Sequence, residues 1–521
     1  MKQGAIFLLL MFCICTTYGA DPVPKDYNIV DFGAVGDGKT TNTQAIQKAI
    51  DQCSSDGGGQ VIVPNGVFRT GSVFLKNNVV LYLSPSAVLS GSTHKSDYAQ
   101  PANALIIANE QHHIGIYGRG TIHGNGDDPA FYSKDFANGL PGRPNTIAIN
   151  QCTDVKLKEF TLRNGTRWNI HLIACDYVTV DDIKVISRAV ANNDGIDIDD
   201  CHHVTISNSY FDCGDDAICP KSHSARSVKN LVINNCIIKS ESNGIKFGTK
   251  GVGGFRDVTI SNCVIYDTRL SGIAIEMVDG GMIDRIVMNN ITMQKVNGSL
   301  FIKLGKRSGD KPGVLRNVTI SNLIADSIGL WKPDTTAPYY KVAANPKIGI
   351  SIVGQPGYLI ENITLSHVRF QFAGGGTQED SKAVMKDEPN SYPEYTNFGV
   401  TPAYGLNLRH VNNLLLQDVQ LTTLAEDARP AIFLEDARQV HMDNVKAQLS
   451  ARATAFIRCK DVEDLFVYSC KPDAVPIPFL SFEGRVKEVS ILNNDLHKVA
   501  ATYVKEAAVN RKEIYTGNNR Q

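Results

Sequence analysis

One motif recurs along the chain at a nearly constant interval, and that interval restricts the fold more than any other property. An apolar residue, a spacer, a second apolar residue, a spacer and then Asn or Asp appear as VTVDD (178–182), VTISN (204–208), LVINN (231–235), VTISN (258–262), IVMNN (286–290) and VTISN (318–322). The starts at 178, 204, 231, 258 and 286 are 26, 27, 27 and 28 residues apart, and weaker copies run from 155 to 492. Alternation of period two with β-branched residues specifies strands. A unit of this length cannot bury its own apolar face and must stack on its neighbours. The expected fold is therefore all-β: a single-stranded, right-handed parallel β-helix with three short strands per turn. A β-sandwich does not repeat one motif at a fixed step. The recurring Asn208, Asn235, Asn262, Asn290 and Asn322 are expected to form an internal amide ladder at a tight bend.

The ends of the chain differ from this repeat. Met1-Lys2, an apolar stretch from Ala5 to Cys15 and small residues up to Ala20 read as a signal peptide over 1–20. This predicts an exported protein, periplasmic or extracellular, whose body is one domain over 21–521. Residues 21–110 supply a cap and the first turns. There, Tyr27–Val30 reads as a strand, followed by a Gly-rich turn. Thr41 or Asn42 can then cap a helix with the apolar stripe Ala45, Ile46, Ala49 and Ile50, which would lid the open end of the coil. Between 323 and 404 the repeat lengthens with Pro-, Gly- and Tyr-rich insertions, predicted as extended loops on one face.

Charge narrows the partners. Lys and Arg number 52 against 53 Asp and Glu, a formal net charge of −1, and no basic run of the kind that holds nucleic acid or an anionic bilayer occurs. No later segment is apolar enough to span a membrane, and a monomer is expected. Beyond Cys13 and Cys15, ten cysteines remain, with no zinc-like spacing. Several sit at matching points of the repeat, which favours buried stacked thiols with room for one or two disulfides.

The chemistry follows the repeats. Asn193-Asp194-Gly195-Ile196, Asp215-Asp216-Ala217-Ile218 and Ser242-Asn243-Gly244-Ile245 each lead into a strand. Aligned on the isoleucines, Asp194, Asp216 and Asn243 fall at the same place on successive turns, about one strand spacing of 4.8 Å apart. Asp215 lies one residue earlier. Carboxylates converging in this way serve metal binding or glycosidic cleavage, where crowding keeps one group protonated. Lys221 and Lys246 stand beside them.

These residues resemble those of the polygalacturonases, family 28 of the glycoside hydrolases. The match lies in Asn193-Asp194-Gly195-Ile196-Asp197, Gly214-Asp215-Asp216, Trp168-Asn169-Ile170-His171 with Cys175, and the Gly-rich stretch 248–254; the opening Asp31-Phe32-Gly33-Ala34 resembles the bacterial members. The resemblance implies hydrolysis of a pectic glycan by single displacement with inversion and without cofactor or metal. Asp215 would be the general acid, and Asp194 and Asp216 would activate the water. Two departures stand out. Where the family carries Gly-His-Gly, this chain has Ser242-Asn243-Gly244. Where it carries Arg-Ile-Lys, this chain has Ala274-Ile275-Glu276. Losing two cations and gaining a carboxylate penalises a chain charged on every sugar, so a rhamnogalacturonan-like substrate is expected. Asn243, Lys246, Lys221, Lys303, Arg307 and Trp168 are the expected substrate contacts. The rivals are a β-helix polysaccharide lyase, with Lys221 or Lys246 as base beside calcium, and a non-catalytic glycan-binding β-helix.

Overall fold

A computed structural model describes residues 25–101, 103–132, 142–333, 345, 347–473 and 475–520. The proposed signal peptide lies outside the described residues. Parallel pairing of each strand with the strand one turn later generates a right-handed parallel β-helix. Three sheets run its length. Sheet A contains Ile170–Ile173, Ile196–Asp199, Ile218–Lys221 and Ile245–Phe247 on successive turns. Sheet B carries the repeat motif, as in His202–Ser207 and Val228–Asn234. Sheet C contains Lys184–Ser187, Tyr210–Cys213 and Ile237–Ser240. In later turns B and C fuse into long bent strands such as Gly254–Thr268.

The motif's two apolar positions face inward: Val204, Ile206, Leu231, Ile233, Val258 and Ile260 are at most 1% exposed. Each such side chain contributes roughly 1.5–3 kcal/mol of burial. The closing asparagines adopt left-handed backbone, with φ from 52° to 56° at Asn208, Asn235, Asn262, Asn290 and Asn322, a conformation Asn tolerates better than β-branched residues. Their amides do pair between turns, as in Asn235 Nδ2 to Asn208 Oδ1 (3.3 Å) and Asn290 Nδ2 to Asn262 Oδ1 (3.1 Å). The ladder is external, contrary to the expectation: the left-handed bend turns these side chains to solvent. A second one, Asn317, Asn362 and Asn413, lines the bend between sheets A and B.

The cap is a helix, Thr43–Ser55, that buries Ile46, Ala49, Ile50 and Cys53 against the first turn. Asn42 stands at its N-cap but makes no capping bond. Its side chain instead ties the Gly-rich turn, accepting from Val35 N–H (2.7 Å) and donating to Thr40 O (2.8 Å). The first strand is Lys25–Asn28, and Ile29–Phe32 forms a 3-10 turn in place of continued strand. All ten cysteines of the described residues are buried free thiols. No helix of the described residues is long and apolar enough to cross a membrane.

The region from 323 to 404 is not all loop. Ile350–Val353 and Ile360–Phe372 continue the coil. The chain after them folds back over the outer face of sheet A. It forms a second apolar cluster outside the coil, in which Met385, Tyr395 and Phe398 pack on Leu270, Ala274 and Phe301.

Candidate active site

The bend from sheet C into sheet A brings the acidic residues together. Ile196 pairs with Ile218, and Ile218 with Ile245. Gly195 N–H donates to Asp216 O and Ala217 N–H to Asn243 O, each at 3.0 Å. Asp194, Asp216 and Asn243 are therefore stacked as the spacing requires. Glycine at 195 has a steric reason: an added Cβ would lie 2.3 Å from Ala217 O and 2.8 Å from Cys213 Sγ.

A carboxylate oxygen of Asp194, one of Asp216 and Cys219 Sγ lie within 4.8 Å of one another. Asp216 Oδ1 accepts from the Asn243 backbone (3.1 Å) and amide (2.8 Å), and its Oδ2 faces Lys246 Nζ at 3.6 Å. Asp194 Oδ2 is 3.4 Å from Lys221 Nζ, whereas its buried Oδ1 has no hydrogen-bond partner in the protein. Asp215 is half-buried and accepts from Asp216 N–H at 2.9 Å, and Ser240 Oγ anchors its carbonyl at 2.7 Å.

This geometry splits the stacked pair. Burial, reinforced by Asp197, pushes the Asp194 carboxyl well above the usual range despite Lys221. Burial also opposes ionisation of Asp216, but Lys246, Lys221 and the Asn243 hydrogen bonds overcome it and hold that carboxyl below its ordinary value. The two neighbouring carboxyls are thus biased in opposite directions, Asp194 toward its protonated form and Asp216 toward its ionised form, as a pair handling one water requires. Asp194, Asp216 and Cys219 are also the one group among the described residues with ligand atoms close enough for a metal ion. Lys221 Nζ, 2.9 Å from Cys219 Sγ and 2.8 Å from Asp197, and Lys246 already balance that charge. The donor set therefore suits ammonium groups better than a divalent ion.

Other predicted contacts are placed unevenly. Trp168, half-buried, lies edge-on to His171 (centroids 4.8 Å apart), with Arg167 over its ring at 4.8 Å and Lys221 Nζ at 5.4 Å. Lys246 is brought to the aspartates but is 1% exposed. The insertion covers it, with Glu394 Oε1 at 2.9 Å and Tyr392 OH at 3.4 Å. Lys303 is not brought to the aspartates in an open groove. It is wholly buried and donates to Glu388 O, Ser391 Oγ and Asn397 Oδ1, and burial lowers its pKa to about 8. Arg307 is held by Asp279 through two hydrogen bonds (3.0 and 2.5 Å) and lies 5.8 Å from the Tyr392 ring centroid. Neither is the free cation expected of it.

The sequence reading missed Tyr392 and Glu394, which reach the site from 146 and 148 residues away. No spacing signals that return. It also left Asp197 and Asp199 without roles, although both lie in the quoted motif or directly after it. Asp199 binds His171 (3.4 Å) and His223 (2.5 Å). Burial works against its charge, but these two rings hold it far below the usual carboxylate range.

The chain is similar to known proteins in sequence and in fold. Residues 53–337 match the sequence profile of glycosyl hydrolases family 28. A probable polygalacturonase of Vitis vinifera is 30% identical over 308 residues, covering 53% of this chain and 62% of that protein. An exo-poly-alpha-D-galacturonosidase of Dickeya chrysanthemi is 27% identical over 339 residues, 53% of this chain and 56% of that protein. The chain thus spans roughly 60% of the length of these two relatives. An exopolygalacturonase structure from Thermotoga maritima superimposes with a TM-score of 0.60 at 20% identity, covering 76% of this chain and 92% of that one, which is a likeness of fold.

Proposed function

Because the chain belongs to glycosyl hydrolase family 28, we propose that it hydrolyses an α-linked, galacturonic-acid-containing pectic glycan by single displacement with inversion. The observation that carries this reading is the stacking of Asp194 and Asp216 on adjacent turns, with burial raising the pKa of the first and Lys246 and Lys221 lowering that of the second. Asp215 gives its proton to the glycosidic oxygen as the C1–O bond breaks. Asp216 takes a proton from water, whose oxygen bonds to C1 on the opposite face. Asp194, through its unpaired Oδ1, orients that water. The cycle closes when Asp216 returns a proton to solvent and Asp215 regains one. No step calls for a cofactor.

A rhamnogalacturonan-like chain, in which acidic and neutral sugars alternate, fits the charge around Lys246. That ammonium lies within 4 Å of Asp216, Glu276 and Glu394, so it offers no net positive charge to a second uronate. Trp168 and Lys221 are the contacts best placed for the sugar in the cleft, whereas Asn243, expected as a third, is wholly buried and holds Asp216 and the Ser271 backbone instead. The insertion over this flank supports cleavage near a chain end, the mode named in the Dickeya relative. Export to where pectin lies agrees with the apolar N-terminal stretch. The lyase alternative needs a neutral lysine, and burial of Lys221 and Lys246 is outweighed by carboxylates that hold both ammonium groups well above their usual pKa.

The test is a panel of defined pectic oligosaccharides digested by wild type and Asp215→Asn, with products separated by chromatography and their anomeric form read by NMR. Inverted products and a loss of about 10²–10⁴ in the variant are expected. Retained configuration, an unsaturated product, or a loss below about tenfold would overturn the proposal.

A further inference from the structure

On the last turns, the outer face of sheet C carries a polar groove on which the catalytic chemistry makes no demand. A cavity of about 620 Å³, lined by Lys446, Lys471 and Arg520 among others, joins one of about 270 Å³ lined by His367, Arg369 and Asp418. The two share Gln420 and Lys446. Strand register explains the groove. Arg369 pairs with Gln420, Gln420 with Lys446, and Lys446 with Lys471, and the bridge between Asp495 and Arg520 extends the same face. Six successive turns thus place Arg369, Gln420, Lys446, Lys471, Asp495 and Arg520 in one outward column. A second column two residues on, with Thr422, Gln448, Asp473 and His497, adds hydroxyl, amide, carboxylate and imidazole groups.

On the turns before the groove the same column reads Ile237, Val264, Thr292 and Ile324, with Lys184 and Tyr210 further back, and Ile237, Val264 and Ile324 are 46%, 44% and 47% exposed. Cations recur along the column within the groove, whereas the four turns directly before it carry none. Arg369 and Lys446 form no ion pair among the described residues, while Lys471 meets Asp495 at 3.4 Å. Four permanent cations face Asp418, Asp473 and Asp495, and Asp418 is already engaged by His367 at 3.1 Å. One turn advances about 4.8 Å, close to the length one pyranose ring adds to an extended glycan.

We propose that this groove is a non-catalytic binding site for a linear polyuronate, holding an extended pectic chain along the solenoid with its carboxylates on Arg369, Lys446, Lys471 and Arg520. The choice of polyuronate over another polyanion rests on the pectic reading of the catalytic site; the cation column does not. The site would keep the enzyme on polymer without touching the cleft.

The experiment is retardation in native gels containing polygalacturonate, with all proteins in the Asp215→Asn background so that the polymer stays intact. Lys446→Glu/Lys471→Glu should bind at least about fivefold more weakly than its parent. Lys39→Glu/Lys48→Glu, with the same charge change at the opposite end of the coil, should bind like the parent. In the Asp215-intact background, Lys446→Glu/Lys471→Glu should cleave a short pectic oligosaccharide within about twofold of wild type. Unchanged retardation in the groove variant, or equal loss in the control, would overturn the groove whatever the catalytic result. Full hydrolysis by Asp215→Asn would overturn the catalytic reading and leave the retardation result to decide the groove.

Discussion

The outer face of sheet A runs the length of the coil, and the early and late turns use it in opposite ways. On the late turns Arg409, Glu435, Lys460 and Glu483 follow one another in register. Each charge meets its opposite: Arg409 and Lys460 bind Glu435, the latter at 2.7 Å, and Arg458 binds Glu483 at 2.6 Å. On the early turns Lys221 and Lys246 serve five buried carboxyls, those of Asp194, Asp197, Asp216, Glu276 and Glu394. Burial opposes the charge of Glu435, yet Lys460 and Arg409 hold it below its ordinary value. Burial, together with Glu394 and Asp216, drives Glu276 well above its own despite Lys246. The scaffold is common to both regions. The late turns are arranged for stability; the early turns carry electrostatic stress, which the proposed hydrolysis would put to use in proton transfer.

The sharpest way to break this comparison is Asp194→Asn. Activity should fall by about 10²–10⁴, while the melting temperature holds or rises because burial and Asp197 disfavour a charge there and the amide carries none. A lower melting temperature with normal turnover would reverse the assignment. Next in size, Lys246→Met leaves Asp216, Glu276 and Glu394 without their shared cation. It should cost about 3–5 kcal/mol in chemical denaturation. Glu276→Gln tests the pH dependence. With its folded pKa raised above the ordinary 4.5 of a glutamate by burial, Glu394 and Asp216, Glu276 binds more protons when folded. Stability should therefore decline as pH rises from about 4.5 toward that raised value, and the variant should flatten the decline in melting temperature. The smallest effect belongs to the late turns: Lys460→Met removes a half-exposed partner, leaves Glu435 its Arg409, and should cost about 1 kcal/mol or less with hydrolysis unchanged.

What was legible in the chain follows the range of each interaction. The alternation of Val204-Thr205-Ile206 and the bend at Asn208 are local, and they recur, so coil and register could be read directly. Asp194 and Asp216 could be superposed because a single repeat separates them and both precede an isoleucine that pairs across turns. The ladder's direction could not, since it depends on the sign of φ at the bend. The covering of Lys246 and Lys303 could not either: the insertion interrupts the repeat, and its contacts span 85 to 148 residues. A cation on an outward position looks the same in sequence whether solvent or a folded-back loop covers it.

The left-handed residue that closes each motif also acts as a phase reset. Turns of 26, 27 and 28 residues keep their inward positions aligned, because the extra residue is absorbed between two bends. An insertion in one turn would then misplace side chains only as far as the next bend. Residues added to the connection before Asp194 would move the carboxylates without disturbing the groove on the last turns, so the two sites are free to diverge separately.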